Sequence, residues 1–196
     1  MKQPIHFDIP CVILCGGKSS RMGEDKALLP FFSYNTLTQY QYEKFKPFFK
    51  KVYISSKIDK FDFEPNLILD KGEIYSPIVA LQTIFNKLKD EKKIFIISVD
   101  TPFVKIDTIS NLVDNSLNYD IVVPQTEKIH NLCGVFDKSC SLLINEMLSN
   151  DTHKVGFLLK KSKTKIITCS DEDEFMNLND PKTYKKATLY ISKTNI

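Results

Sequence analysis

One arginine, Arg21, stands against 26 lysines, and six glycines serve 196 residues. Five cysteines (Cys11, Cys15, Cys133, Cys140, Cys169) form an odd set with no C-x-x-C pair. That pattern excludes a paired disulfide framework and a zinc knuckle, and it points to a reducing compartment. The three histidines lack H-x-x-x-H or H-E-x-x-H spacing, so His6 and His153 suggest no zinc site. No Ser-His-Asp or Cys-His set with a recognisable context supports a nucleophilic hydrolase. No apolar run approaches the ~18 residues of a membrane span, and the opening "MKQPIHFDIP" lacks a signal peptide's apolar core. The expectation is a soluble cytoplasmic protein with no membrane attachment. A formal net charge of +3 with lysines scattered along the chain gives no nucleic-acid footprint.

What is present suits one buried core. The length and a 42% hydrophobic content predict a single domain over residues 1–196. Short apolar runs recur at 11–15, 51–55, 66–70, 94–99, 120–124, 132–136 and 165–169. Several are continuous rather than alternating, the mark of strands buried on both faces of a mainly parallel sheet. Between them lie helical patterns. "SPIVALQTIFNKLK" (76–89) has Ser76 as a cap and Pro77 in the first turn, with Ile78, Leu81, Ile84, Phe85 and Leu88 on one face. Asp180 and Pro181 open a second helix over 180–191, and weaker patterns cover 36–45, 106–117, 139–149 and 154–160. Strand alternating with helix predicts an α/β fold: three layers around a doubly wound, mainly parallel sheet that binds ligands at the carboxyl ends of its strands. "LCGVF" follows "DIVVP" too closely for a crossover, so that strand is expected to be antiparallel and the sheet mixed.

Half of the glycines, Gly16, Gly17 and Gly23, fall in the loop after the first strand, "GGKSSRMGEDK". Glycines let backbone amides approach a ligand closely, while Lys18, Arg21 and Lys26 add positive charge and Ser19 and Ser20 add donors. The loop is neither a P-loop, since Val12 stands where its first glycine belongs, nor a dinucleotide fingerprint, since Lys18 replaces the second glycine. A purely structural turn is the other reading of the glycines. Arg21 favours phosphate, because its planar bidentate fork does what lysine cannot.

Asp100 directly follows the most apolar strand, expected at the sheet's centre, and Thr101-Pro102 turns the chain there. A carboxylate at that edge suits Mg²⁺, which takes one or two carboxylates plus waters and substrate phosphates. Asp70, ending "LILD", is expected in a similar place one strand away; each aspartate could also simply form a turn. Asn177 and Asn179, two residues apart, share one face of an extended segment and could complete a metal or phosphate site, or merely lead into the helix capped by Asp180. His130 precedes "NLCGVF" and could face the cleft.

These residues resemble a known family. "LCGGKSSRMGEDKALL" is similar to the L-x-G-G-x-S-x-R-M-G-x-D-K-x-L signature of the molybdenum cofactor guanylyltransferases (MobA), within the Rossmann-like nucleotidyltransferases. "LILD", "SVDTPF", "HNLCGVF" and "FMNLNDP" continue the likeness across nearly the whole chain. The resemblance implies transfer of GMP from GTP to molybdopterin (the molybdenum cofactor), with pyrophosphate released and Mg²⁺ as cofactor. It places Leu14, Cys15, Gly16, Gly17, Ser55 and Asp70 at the nucleotide, Arg21 and Lys26 at its phosphates, Asp100 on the metal, and His130, Asn177 and Asn179 on the pterin side. It also implies contacts with a molybdoenzyme or delivery protein. Three departures from the family pattern stand out. Ser55 replaces a common Asn, Cys15 replaces an Ala, and "YSPIVALQT" lacks the glycines of Y-P-G-P-L-A-G. The alternatives are a cytidylyltransferase or sugar-phosphate nucleotidyltransferase with the same loop, and a non-catalytic nucleotide or cofactor carrier.

Overall fold

Seven short strands, the inner ones apolar enough to be covered on both sides, form one sheet in a computed structural model that describes residues 5–17, 23–70 and 72–194. They are β1 (Cys11–Leu14), β2 (Val52–Ser56), β3 (Leu67–Leu69), β4 (Lys93–Ser98), β5 (Ile121–Gln125), β6 (Cys133–Asp137) and β7 (Thr164–Thr168). The order across the sheet is β3-β2-β1-β4-β6-β5-β7, which puts β4 at the centre. Only β6 runs against its neighbours, pairing antiparallel with both β4 and β5.

Side chains along each strand alternate between two separate cores. Cys11 and Ile13 of β1 join Phe95 and Ile97 of β4 in one, while Val12 joins Ile94 and Ile96 in the other. Helices α1 (Leu37–Phe45), α3 (Ile106–Asp114) and α6 (Pro181–Thr194) cover the first face. Helices α2 (Pro77–Lys87), α4 (Ser141–Ser149) and α5 (Val155–Lys161) cover the second. The helix starts are capped as their sequences suggest: Thr36 accepts from the Gln39 amide at 3.0 Å, and Ser76 from the Ile78 amide at 3.1 Å. Helix α3 has no cap of its own, and the buried Glu174 supplies one from outside, accepting from the Lys105 amide at 3.2 Å and the Thr108 hydroxyl at 2.7 Å.

Gly134 explains how a reversed strand fits between β4 and β5. A Cβ there would lie 2.2 Å from the Val122 carbonyl oxygen and 2.8 Å from Val123 Cγ1. Only glycine allows that approach. The insertion carries residues 130–133 to the carboxyl edge of β4, where they face Asp100.

Candidate active site

The sheet order makes β1 and β4 a switch point, with β2 and β3 reached on one side and β6, β5 and β7 on the other, so a crevice opens where the two strands end. The chain leaves β1 through Cys15-Gly16-Gly17, with the Cys15 amide donating to the Ser55 carbonyl at 2.8 Å. Arg21, with Lys18, Ser19 and Ser20, lies outside the described residues. Beyond Gly23 (φ 73°) the Asp25 carboxylate caps a short 3-10 turn, Lys26–Leu28, accepting from the Ala27 amide at 3.1 Å. Lys60 pins this arrangement: its ammonium pairs with Asp25 and donates to the Cys15 carbonyl at 3.2 Å. From α1, the Thr38 hydroxyl donates to the Ala27 carbonyl at 2.7 Å.

That turn aims Lys26 across the crevice. Its Nζ donates to Asp100 Oδ2 at 2.6 Å and to Asn179 Oδ1 at 2.8 Å, so residues far apart in sequence meet at one ammonium. The two charged side chains keep 15% and 11% of their surface exposed, enough to be reached by a ligand and too little for full hydration. Between the two asparagines, buried Leu178 donates its amide to the Asp100 carbonyl at 2.8 Å and holds the segment against the β4 turn. Asn177 then faces a recess shared with Asp100 and His130.

Two cavities meet at this node. The larger, about 590 Å³, runs from Gly16, Gly17 and Lys26 past Ser55 and Asp70 to Ser76 at the start of α2. The smaller, about 300 Å³, lies beyond Asp100 and is bordered by Lys128, His130 and Asn177. Ser98 and Leu132 belong to the walls of both. His130 stacks on Phe175 with ring centroids 4.2 Å apart and has Nε2 2.9 Å from the Thr126 hydroxyl. Burial lowers its pKa from the ordinary 6.5, and nearby Lys128 adds to this, so the ring is neutral near pH 7.

Leu14, Cys15, Gly16, Gly17, Ser55, Asp70 and Lys26 therefore line one cavity, and His130, Asn177 and Asp100 the other, with Asn179 bonded to the lysine between them. Asp70 corrects the expected spacing. Strands β2 and β1 separate it from β4, so it serves the far end of the larger cavity rather than sharing a site with Asp100. Cys15 is a buried thiol 3.6 Å from the Thr38 hydroxyl, and burial pushes its pKa to about 12, so it acts as wall and not as nucleophile.

Sequence reasoning missed three side chains that shape the site. Lys57 pairs with Asp70 at 2.9 Å and donates to the Gly72 carbonyl at 3.1 Å, fixing the turn after β3. Gln41 and Lys44, from the buried face of α1, hold the turn that carries Asp100. Gln41 Nε2 donates to the Val99 carbonyl at 2.7 Å, and Lys44 Nζ to those of Pro102 and Val104 at 2.7 and 2.8 Å. The available signal was Gln41, a polar residue at a buried position of the helix between Leu37 and Phe45; Lys44, half-buried, gave none.

A doubly wound sheet thus sets Lys26 and Asp100 against each other at its switch point, the edge where such folds bind their ligands. The fold is shared with molybdopterin-guanine dinucleotide biosynthesis protein A of Archaeoglobus fulgidus, with a TM-score of 0.81 at 18% identity over 95% of this chain and 100% of that one. It is shared also with a 4-diphosphocytidyl-2C-methyl-D-erythritol synthase of Anaerococcus prevotii, with a TM-score of 0.71 at 10% identity over 95% and 96% of the two chains. Residues 11–165 match the MobA-like NTP transferase domain. A molybdenum cofactor guanylyltransferase of Campylobacter jejuni subsp. doylei is 42% identical over 91% of this chain and 95% of its own length. One of Helicobacter pylori strain G27 is 35% identical over 98% of each chain. Fold and site thus define a nucleotidyltransferase. The chain belongs to the MobA-like NTP transferase family, among the molybdenum cofactor guanylyltransferases.

Proposed function

We propose that the whole chain works as one domain that transfers GMP from GTP to molybdopterin, releases pyrophosphate and uses Mg²⁺. The observation that carries this reading is the Lys26 ammonium bonded to Asp100 and Asn179 at the boundary of two cavities, one of nucleotide size and one beyond the carboxylate. In this reading the nucleotide takes the larger cavity, along Leu14, Cys15, Gly16, Gly17, Ser55 and Asp70. The pterin takes the smaller one, along His130 and Asn177, with Asn179 at the join.

The reaction needs positioning and charge control. A phosphate oxygen of the acceptor attacks the α-phosphorus in line, a new P–O bond forms, and the bond to the β-phosphate breaks with its electrons leaving on pyrophosphate. The acceptor phosphate is already ionised near neutral pH, so no side chain need remove a proton. Lys26, held by the capped turn and by Asn179, neutralises charge on the phosphates, and Arg21 is assigned the same task. Asp100 with the substrate phosphates would hold Mg²⁺, which would supply charge neutralisation at the reacting phosphate. The donor set suits that ion. It offers one carboxylate at the crevice, and among the described residues no cluster of three His, Cys, Asp or Glu side chains makes a cage by itself.

All five cysteines are free thiols, which supports a reducing, cytoplasmic setting. Among the described residues no helix is long and apolar enough to cross a membrane. The test is a pyrophosphate-release assay with each nucleoside triphosphate, with and without molybdopterin. Acceptor-dependent release from GTP is expected, and a preference for CTP would overturn the guanylyl assignment.

A further inference from the structure

Where the family pattern has glycines, the β3–α2 connection of this chain has Ser76, and the residue is wired to a histidine that the sequence left without a partner. Ser76 Oγ accepts the Ile78 amide as the cap of α2 and lies 2.9 Å from Nδ1 of His153. The other ring nitrogen, Nε2, lies 2.9 Å from Oδ1 of Asp151. His153 comes from the turn between α4 and α5, on the same side of the sheet as α2. Ser76 is buried and borders the larger cavity together with Tyr75, Pro77 and Ala80.

The hydrogens follow by elimination. A carboxylate oxygen accepts, so in the singly protonated ring the hydrogen sits on Nε2, facing Asp151, and Nδ1 is left as an acceptor. Nδ1 therefore takes the Ser76 hydroxyl hydrogen. The Ile78 N–H takes one of the hydroxyl's two lone pairs. What Ser76 has left to offer is a single lone pair with no hydrogen, an acceptor.

Its place in the cavity says what would meet it. The phosphate-handling residues Lys26 and Asp100 belong to the β1 and β4 ends, whereas Ser76 opens the helix that follows β3, which lies two strands from β1 and three from β4, and it borders the same cavity as Lys26. A nucleotide with its phosphates at Lys26 and its length along the cavity brings its base toward Ser76. We propose that Ser76, oriented by His153 and Asp151, is a specificity-determining residue that accepts a hydrogen bond from the 2-amino group of a guanine base. The inference rests on the guanylyltransferase reading above. A base without that amino group leaves the buried Ser76 acceptor unpaired, the arrangement that discriminates most strongly between analogues.

The experiment compares kcat/KM for GTP with that for ITP, which differs by lacking the 2-amino group, in pyrophosphate release with molybdopterin as acceptor. Wild type is expected to favour GTP. Ser76→Gly removes the hydroxyl while keeping a tolerated cap residue, and is expected to lower the GTP/ITP ratio by about tenfold, with the loss for GTP in KM. His153→Ala leaves the cap in place and frees the hydroxyl to rotate, so it should lower the ratio part of the way, a change that a merely structural role would not produce. A ratio within twofold of wild type in both variants, with unchanged thermal melts, overturns the proposal while leaving the guanylyl reading intact. If Ser76→Gly melts early, an unmoved ratio in His153→Ala overturns it alone. A wild type that turns over no GTP removes the guanylyl reading and this inference together.

Discussion

Replacing Lys44 by methionine should separate what holds the fold from what holds the site. The Lys44 side chain is half-buried, and burial lowers its pKa from the ordinary 10.5 to about 8, partly offset by Glu174. At about 1.4 kcal/mol per tenfold, that drop means folding penalises the charged form by ~3 kcal/mol. Against this stand two hydrogen bonds, to the Pro102 and Val104 carbonyls at 2.7 and 2.8 Å, worth about 1.5–3 kcal/mol each for a charged donor. Methionine fills similar space, ends the penalty and forfeits both bonds, so stability should fall by no more than about 3 kcal/mol. Activity should change far more. The freed turn carries Asp100, and a displacement of about 1 Å costs roughly 100-fold in rate.

The sign of the pH dependence is fixed as well. Between pH 8 and 10.5 the unfolded chain holds a proton on Lys44 that the folded chain has lost, so stability rises with pH through that window. Urea melts of both proteins at about pH 7 and about pH 9.5 should therefore show the wild type gaining on Lys44→Met as pH rises. Pyrophosphate release measured on the same samples should fall roughly 100-fold in the variant, by the same ~1 Å displacement. A kcat within twofold of wild type would refute the bracing role. A stability difference that does not move with pH would refute the buried-charge account.

Asp100→Ala should lower Mg²⁺-dependent pyrophosphate release by about 100-fold or more while the circular dichroism stays native, and unchanged turnover would favour a carrier over an enzyme. Gly134→Ala should cost ~2–3 kcal/mol and lower the melting temperature by roughly 5–10 °C, because its Cβ would meet the backbone carbonyl of Val122 at 2.2 Å; an unchanged melt would mean that β6 can slide to make room.

The sheet was legible because each strand announces itself by composition. Runs such as "IFIISV" and "CVILC" can be covered only from both faces, and the short gap before "LCGVF" reads correctly as a reversed strand, while β2 and β3 pair in parallel with no helix between them. The glycine loop and Asp100 were legible for a related reason. Unusual residues immediately after an apolar strand must lie at the sheet's carboxyl edge, where α/β folds bind their ligands. Even the Asn177–Asn179 pair could be noticed, although its bond to Lys26 could not.

What the chain alone settled, then, was the class of fold and the place of the glycine loop and of Asp100 directly after apolar strands, since strand length, burial and glycine placement are local properties. Tertiary structure decided everything that depends on strand order. It put β1 and β2 between Asp70 and Asp100, closed Lys26 onto Asp100 and Asn179, and set His153 behind Ser76. These pairings join residues 74, 153 and 77 positions apart, and such contacts are fixed by which strand pairs with which and by how helices pack across a sheet. Residue spacing along the chain carries no record of that choice.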